Sequence, residues 1–167
     1  MNKINIRTGN CLDILPTMEA GSVNCCVTSP PYFGLRDYGN DEQIGLEETP
    51  EAFVQALVDV FREVKRVLAD DGTLWLNLGD SYAASQSNNG GYSEKSTLAG
   101  FTNPNTKGRQ AQEKSKPKKI NHGLKPKDLI GIPWRVALAL QADGWYLRQD
   151  IIWSKPNPMP ESVTDRC

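Results

Sequence analysis

Apolar residues in this chain come either as short unbroken runs or as stripes at helical spacing, and the two patterns alternate. INIRT, residues 4–8, is a short run closed by Gly9 and Asn10, which predicts a strand ending in a turn. CLDILPTM, residues 11–18, predicts a brief amphipathic helix with Leu12 and Leu15 facing inward. VNCCVT, residues 23–28, is a continuous apolar run of strand length, the pattern of a parallel strand covered on both faces. It stops at Pro30 and Pro31, which have no N–H to give to a ladder.

The clearest helix follows. Thr49 caps it, Pro50 lies in its first turn, and Phe53, Leu57, Phe61, Val64 and Leu68 recur along one face until Asp71 and Gly72 end it. TLWLNL, residues 73–78, predicts a second buried strand that stops at Gly79 and Asp80. From 83 to 125 the chain is rich in Ser, Asn, Gly, Lys and Gln with almost no apolar periodicity, which predicts a long flexible insertion. A helix over 127–142, carrying Leu129, Ile132, Val136 and Leu140 and interrupted near Pro133, comes next. A strand over 145–153, WYLRQDIIW, completes the series.

Strands alternating with helices in this way predict an α/β domain built on a mostly parallel sheet. Ligands of such sheets bind where strands end, which sets Ser29-Pro30-Pro31-Tyr32 and Gly79-Asp80-Ser81 side by side at one rim. With 167 residues and a 38% apolar share, one domain with its own hydrophobic core is expected. No apolar run reaches the roughly 20 residues of a membrane span, and MNKINIRTGN has no signal-peptide core, so a cytoplasmic protein is expected.

The four cysteines, Cys11, Cys25, Cys26 and Cys167, show no Cys-x-x-Cys spacing and His122 is the one histidine, so no metal site is expected. Cys25 and Cys26 read as small buried thiols without chemistry. The net charge of −1 says little, but the placement of charge says more. Lys107, Arg109, Lys114, Lys116, Lys118, Lys119, Lys125 and Lys127 gather in one stretch against a single acid, Glu113. Such a stretch suits the backbone of double-stranded DNA, with sequence-independent, salt-sensitive affinity. A solvated loop is the plainer alternative.

The rim carries the chemistry. Because Pro30 and Pro31 lack N–H groups, Thr28-Ser29-Pro30-Pro31-Tyr32 presents a stiff edge of carbonyl acceptors together with the Ser29 hydroxyl. Such an edge complements a group with two donors, such as the exocyclic amino group of cytosine or adenine. Tyr32 adds a flat face for an extruded ring. TSPPY resembles the catalytic motif of the DNA amino-methyltransferases, in which Asp, Asn or Ser precedes Pro-Pro and an aromatic residue, and which act on cytosine N4 or adenine N6. INIRTGN, GTLWLNLGDSY and GWYLRQDIIWSKPNPMPESVTDR resemble further segments of that family in the same order. The order is that of its β group, a circular permutation in which the catalytic half precedes the cofactor-binding half. The resemblance covers nearly the whole chain outside 83–125.

The resemblance implies a Rossmann-like class I methyltransferase sheet and methyl transfer from S-adenosyl-L-methionine to a flipped base. Ser29, Pro30, Pro31 and Tyr32 become the catalytic residues, with the Ser29 side chain and the Pro30 carbonyl accepting from the amino group as charge develops on it. Serine at the first motif position leans toward cytosine N4, with adenine N6 as the alternative. Asn10 and Asp13 fall where the family's turn after the first strand approaches the cofactor, although the family usually has an acid at the place of Asn10. Asp80 orients the base or cofactor by this resemblance, or caps a helix by the plainer alternative. Lys155, Asn157 and Pro158 fall in the segment that resembles the wall around the target base, against an ordinary Pro-rich loop.

The family's glycine turn, Asp-Pro-Phe-x-Gly-x-Gly-Thr, does not occur in these 167 residues. The sheet is therefore expected to be incomplete, with one exposed edge, in a partial methyltransferase catalytic domain over 1–167. By itself such a chain is expected to transfer no detectable methyl group, and to need a complementing C-terminal half or partner chain. A non-catalytic truncated remnant that binds DNA or a partner is the rival. A nucleotide-binding or hydrolase domain lacks its phosphate loop and its nucleophile elbow here.

Overall fold

The computed structural model describes residues 4–40, 42–83, 123–125 and 128–157. Helix α1 (Cys11–Ile14) runs into a 3-10 turn (Leu15–Thr17), followed by strand β1 (Val23–Thr28), helix α2 (Pro50–Val67), strand β2 (Leu68–Leu76) and helix α3 (Ile132–Ala142). β1 and β2 pair in parallel, so α2 is the crossover of a β-α-β unit. No described helix is long and apolar enough to cross a membrane.

α2 forms as its pattern predicts. The Thr49 side chain accepts from the Ala52 N–H at 3.1 Å, and Pro50 sits in the first turn where no donor is needed. Phe53, Leu57, Phe61 and Val64 are buried in one core with Ile132, Val136 and Leu140 of α3. Phe33, just beyond the proline pair, packs on Phe53 with ring centroids 5.4 Å apart. The inner face of the sheet adds Cys26, Leu74 and Leu76, each partly buried against this cluster.

The outer face carries no such cover among the described residues. Val27 is 78% exposed, and Trp75 and Cys25 are exposed as well. The expectation that VNCCVT is covered on both faces, with both thiols buried, is therefore corrected. Only Cys26 is half-buried, and its burial, followed by the neighbouring Cys25, pushes its thiol pKa up.

Two element boundaries differ from the predicted ones. α2 stops at Val67, not at Asp71-Gly72, because Leu68 turns extended and pairs with Val23. Pairing resumes only at Cys25 and Thr73, so Ala69 to Gly72 bulge out of the ladder. A Cβ at Gly72 would sit 2.9 Å from the Ala69 carbonyl oxygen, an approach that only glycine tolerates. α3 begins at Ile132, so Pro133 opens the helix instead of interrupting it. Leu129 belongs to an antiparallel bridge with Tyr82, where the Ala83 N–H donates to the Asp128 carbonyl at 2.7 Å and the Ile130 N–H to the Ser81 carbonyl at 2.9 Å. Apart from Ala83 and residues 123–125, the insertion expected over 83–125 lies outside the described residues.

The strands expected over 4–8 and 145–153 do not form. Neither segment is hydrogen-bonded to a strand, and Ile4 at 89% and Tyr146 at 88% stand exposed. An extended segment becomes a strand only through the ladder of a neighbour, and neither β1 nor β2 supplies one to them. Leu12 likewise faces outward, while Leu15 alone packs on the core.

Candidate active site

β1 and β2 end at the same rim, and one further bond draws their continuations together. The Asn77 N–H donates to the Thr28 carbonyl at 2.9 Å, so residues 77–79 run beside the turn that begins at Ser29. The Asn77 side-chain amide donates to the Tyr32 phenol at 3.3 Å. The Tyr32 ring lies against Gly79, where a Cβ would come within 2.7 Å of Cε2 and 2.8 Å of Cδ2. The two segments expected side by side therefore do meet.

Past the prolines the chain folds back on itself. Phe33 anchors it in the core, the Gly34 N–H donates to the Gly45 carbonyl at 2.7 Å, and the Leu35 N–H donates to the Tyr32 carbonyl at 3.3 Å. Gln43 clamps the returning loop from both ends of its amide: its Oε1 accepts from the Tyr38 N–H at 2.6 Å and its Nε2 donates to the Arg36 carbonyl at 2.9 Å. Asp37 and Asn40 make the side-chain-to-backbone turns within it. Leu35, Arg36 and Tyr38 thereby join Ser29, Pro30, Pro31 and Tyr32 around a cavity of about 300 Å³. Arg36 and Tyr38 were not singled out from sequence. The available signal was the cluster of turn formers, Gly34, Asp37, Gly39 and Asn40, which folds the loop back over the motif.

A larger cavity, of about 820 Å³, lies elsewhere. It is walled by the consecutive residues Asp70 to Leu78, by residues 145–151, and by one side of α3. None of the motif residues reaches it. Chemistry selects the smaller one: a stiff acceptor edge, a hydroxyl, an aromatic face and a guanidinium converge there.

Asp80 has a different partner. Its Oδ1 accepts from the N–H groups of Ser81 at 2.9 Å, Gly131 at 3.1 Å and Ile132 at 3.1 Å, and its Oδ2 from Gly131 at 3.0 Å. The N-cap of α3 is Gly131, at φ 77°, which has no side chain to offer. Asp80 supplies the missing cap from the end of the β2 rim, with its negative charge at the positive end of the helix. The geometry is that of the plainer alternative, a helix cap.

Asn10 also caps a helix, accepting from the Leu12 N–H at 3.0 Å, and Asp13 is exposed in the same turn of α1. Asn10, Asp13 and Asp80, the three residues expected near S-adenosyl-L-methionine, line neither cavity. Lys155 and Asn157 are exposed and line neither cavity, and Pro158 lies outside the described residues. Of the basic stretch only Lys125 is described; it is exposed, and its carbonyl accepts from the Asp128 N–H at 3.1 Å. Lys107, Arg109, Lys114, Lys116, Lys118, Lys119 and Lys127 lie outside the described residues. Among the described residues no His, Cys, Asp and Glu group is arranged to hold a metal ion.

The family model for N6 and N4 methyltransferases, described as DNA methylase, matches residues 23–167. The chain belongs to the DNA amino-methyltransferases. This amino-methyltransferase chain is similar to the Type II methyltransferase M.Cfr9I of Citrobacter freundii, 54% identical over 99% of the chain and 51% of that protein. It is similar to M.XycI of Xanthomonas campestris pv. cyanopsidis, 56% identical over 95% of the chain and 48% of that protein. To M.SmaI of Serratia marcescens it is 48% identical, over 99% of the chain and 52% of that protein. The chain thus spans about half the length of these relatives. No solved structure gives a significant match.

Proposed function

We propose that this chain is the catalytic part of a site-specific DNA methyltransferase that places a methyl group on the exocyclic amino group of a flipped base, cytosine N4 in preference to adenine N6. The observation that carries the proposal is the cavity of about 300 Å³ formed by Ser29, Pro30, Pro31 and Tyr32 at the ends of two parallel strands. The names of the relatives, all Type II methyltransferases, support the same reaction. The Ser29 hydroxyl and the Pro30 carbonyl are the acceptors for the two amino N–H groups, which draws the nitrogen lone pair out of conjugation with the ring. Because both prolines fix their own φ, these acceptors need little reorganisation as positive charge builds. Tyr32 is the stacking face.

Double-stranded DNA is the partner, and S-adenosyl-L-methionine is the methyl donor that the family implies. The proposed fold is the Rossmann-like sheet in the permuted order, of which the β-α-β unit is one part. Since the relatives are about twice as long, a complementing C-terminal half is proposed to bring the cofactor site.

The test is reconstitution. The 167-residue chain alone is expected to leave duplex DNA unmethylated, and mixing it with the C-terminal half of M.Cfr9I is expected to restore transfer. Mass spectrometry of the product nucleosides reads N4 against N6. In the reconstituted enzyme, Tyr32→Ala is expected to weaken capture of the flipped base by about 1–3 kcal/mol. Pro30→Ala is expected to lower the single-turnover rate at saturating DNA more than it lowers DNA affinity. Robust methylation by the chain alone would refute the need for a second half. Equal losses in rate and affinity for Pro30→Ala would assign the stiff edge to docking.

A further inference from the structure

We infer that Gly79 and Asn77 are positioning residues that set the plane of the Tyr32 ring, so that the ring meets an extruded base at a fixed angle. The inference rests on the proposed stacking role of Tyr32, and three observations lead to it.

The first concerns why position 79 is glycine. Gly79 is absent from the glycines with positive φ, so its backbone conformation is one that other residues adopt. The three nearest atoms that an added Cβ would meet belong to the Tyr32 ring: Cε2 at 2.7 Å, Cδ2 at 2.8 Å and Cζ at 3.3 Å. Glycine is therefore required by the ring and not by the local turn. Cδ2, Cε2 and Cζ are consecutive atoms along one edge of the ring, and that edge lies so close to Gly79 that it cannot move toward the backbone.

The second concerns the phenol. A ring held along one edge still slides and pivots. Asn77 holds the far end of the side chain by donating from Nδ2 to the phenol at 3.3 Å, while its backbone N–H is bound to the Thr28 carbonyl at 2.9 Å. One residue thus ties the ring to the end of the strand that leads into the motif. Contact along one edge and a bond at the tip fix the orientation of the ring.

The third is what the ring adjoins. Tyr32 is only half-buried, and it lines the same cavity of about 300 Å³ as Ser29 and Pro30. Stacking depends on the ring plane. A ring held in advance loses less freedom when a base arrives than one that has to be ordered on binding.

A double-mutant cycle on the full 167-residue chain tests the inference. Gly79→Ala is made in the presence of Tyr32 and in the Tyr32→Ala background. The readouts are the melting temperature, the NMR resonances of ring-labelled tyrosine, and quenching of a duplex carrying mispaired 2-aminopurine. With Tyr32 present, Gly79→Ala is expected to shift the Tyr32 ring resonances and weaken quenching about tenfold, within the usual worth of one base–aromatic stack. In the Tyr32→Ala background it is expected to change neither melting temperature nor quenching. Asn77→Leu keeps most of the side-chain volume but leaves the phenol neither a donor nor an acceptor, and is expected to speed ring flipping with a smaller loss of quenching. It carries the test should Gly79→Ala fail to fold.

Equal effects of Gly79→Ala in both backgrounds would overturn the inference, because the glycine would then serve the backbone alone. A displaced ring with unchanged quenching would overturn it as well, since orientation would not matter. Failure of the stacking role itself is read separately: Tyr32→Ala by itself would leave quenching intact, whatever the ring resonances report.

Discussion

Helix α2 and the segment from Trp145 to Trp153 are both rich in large apolar residues, yet one is the centre of the core and the other stands largely in solvent. The difference lies in how each satisfies its backbone. A helix closes its own hydrogen bonds, so α2 needs only an apolar partner for one stripe, and α3 and the inner face of the sheet provide it. A strand leaves its N–H and C=O groups to a neighbour, and residues 145–153 have no ladder to join. Apolar content marks what a segment can bury. Hydrogen bonding decides whether it has somewhere to do so.

The sharpest way to break this comparison is in the core. Phe53, fully buried and packed on Phe33, is expected to cost about 3–5 kcal/mol on Phe53→Ala, measured by denaturant unfolding of the chain. A loss below about 1 kcal/mol would show that α2 is not the organising element. The next effect falls at the join between the sheet rim and α3. Asp80→Ala removes the side-chain cap that Asp80 gives to α3 and is expected to cost about 1–2 kcal/mol, read by the same unfolding and by faster amide exchange in the first turn of α3. Unchanged exchange at Gly131 and Ile132 would return Asp80 to the candidates for ligand contact. The smallest effect is expected in the exposed segment: Trp153, 78% exposed, is expected to change stability by no more than about 0.5 kcal/mol on Trp153→Ala. A loss like that of Phe53→Ala would mean that the segment is covered in solution, and the comparison would fail.

What was legible in the sequence follows the range of the interactions involved. Thr49, Pro50 and the stripe from Phe53 to Val64 announce α2 because capping and helical periodicity are local. The approach of the Ser29 to Tyr32 segment to the segment that begins at Gly79 was equally legible, because a parallel β-α-β unit brings both strand ends to one side. Asp80 was not legible in this way. Its cap lies on Gly131, and nothing between the two residues states that they meet. Arg36 and Tyr38 were missed for a related reason: Gln43 and the Gly34–Gly45 bond decide where their loop returns.

By itself, then, the sequence determined the elements whose stabilising contacts lie within a turn or two, along with the donor-free edge at Pro30 and Pro31, since a proline lacks a donor in any fold. Only the tertiary structure decided which apolar runs became strands, where α2 gave way to β2, what Asp80 holds, and why residue 79 has to be glycine. Each of these depends on a partner distant in sequence, and a contact with a distant partner leaves no period in the chain to read.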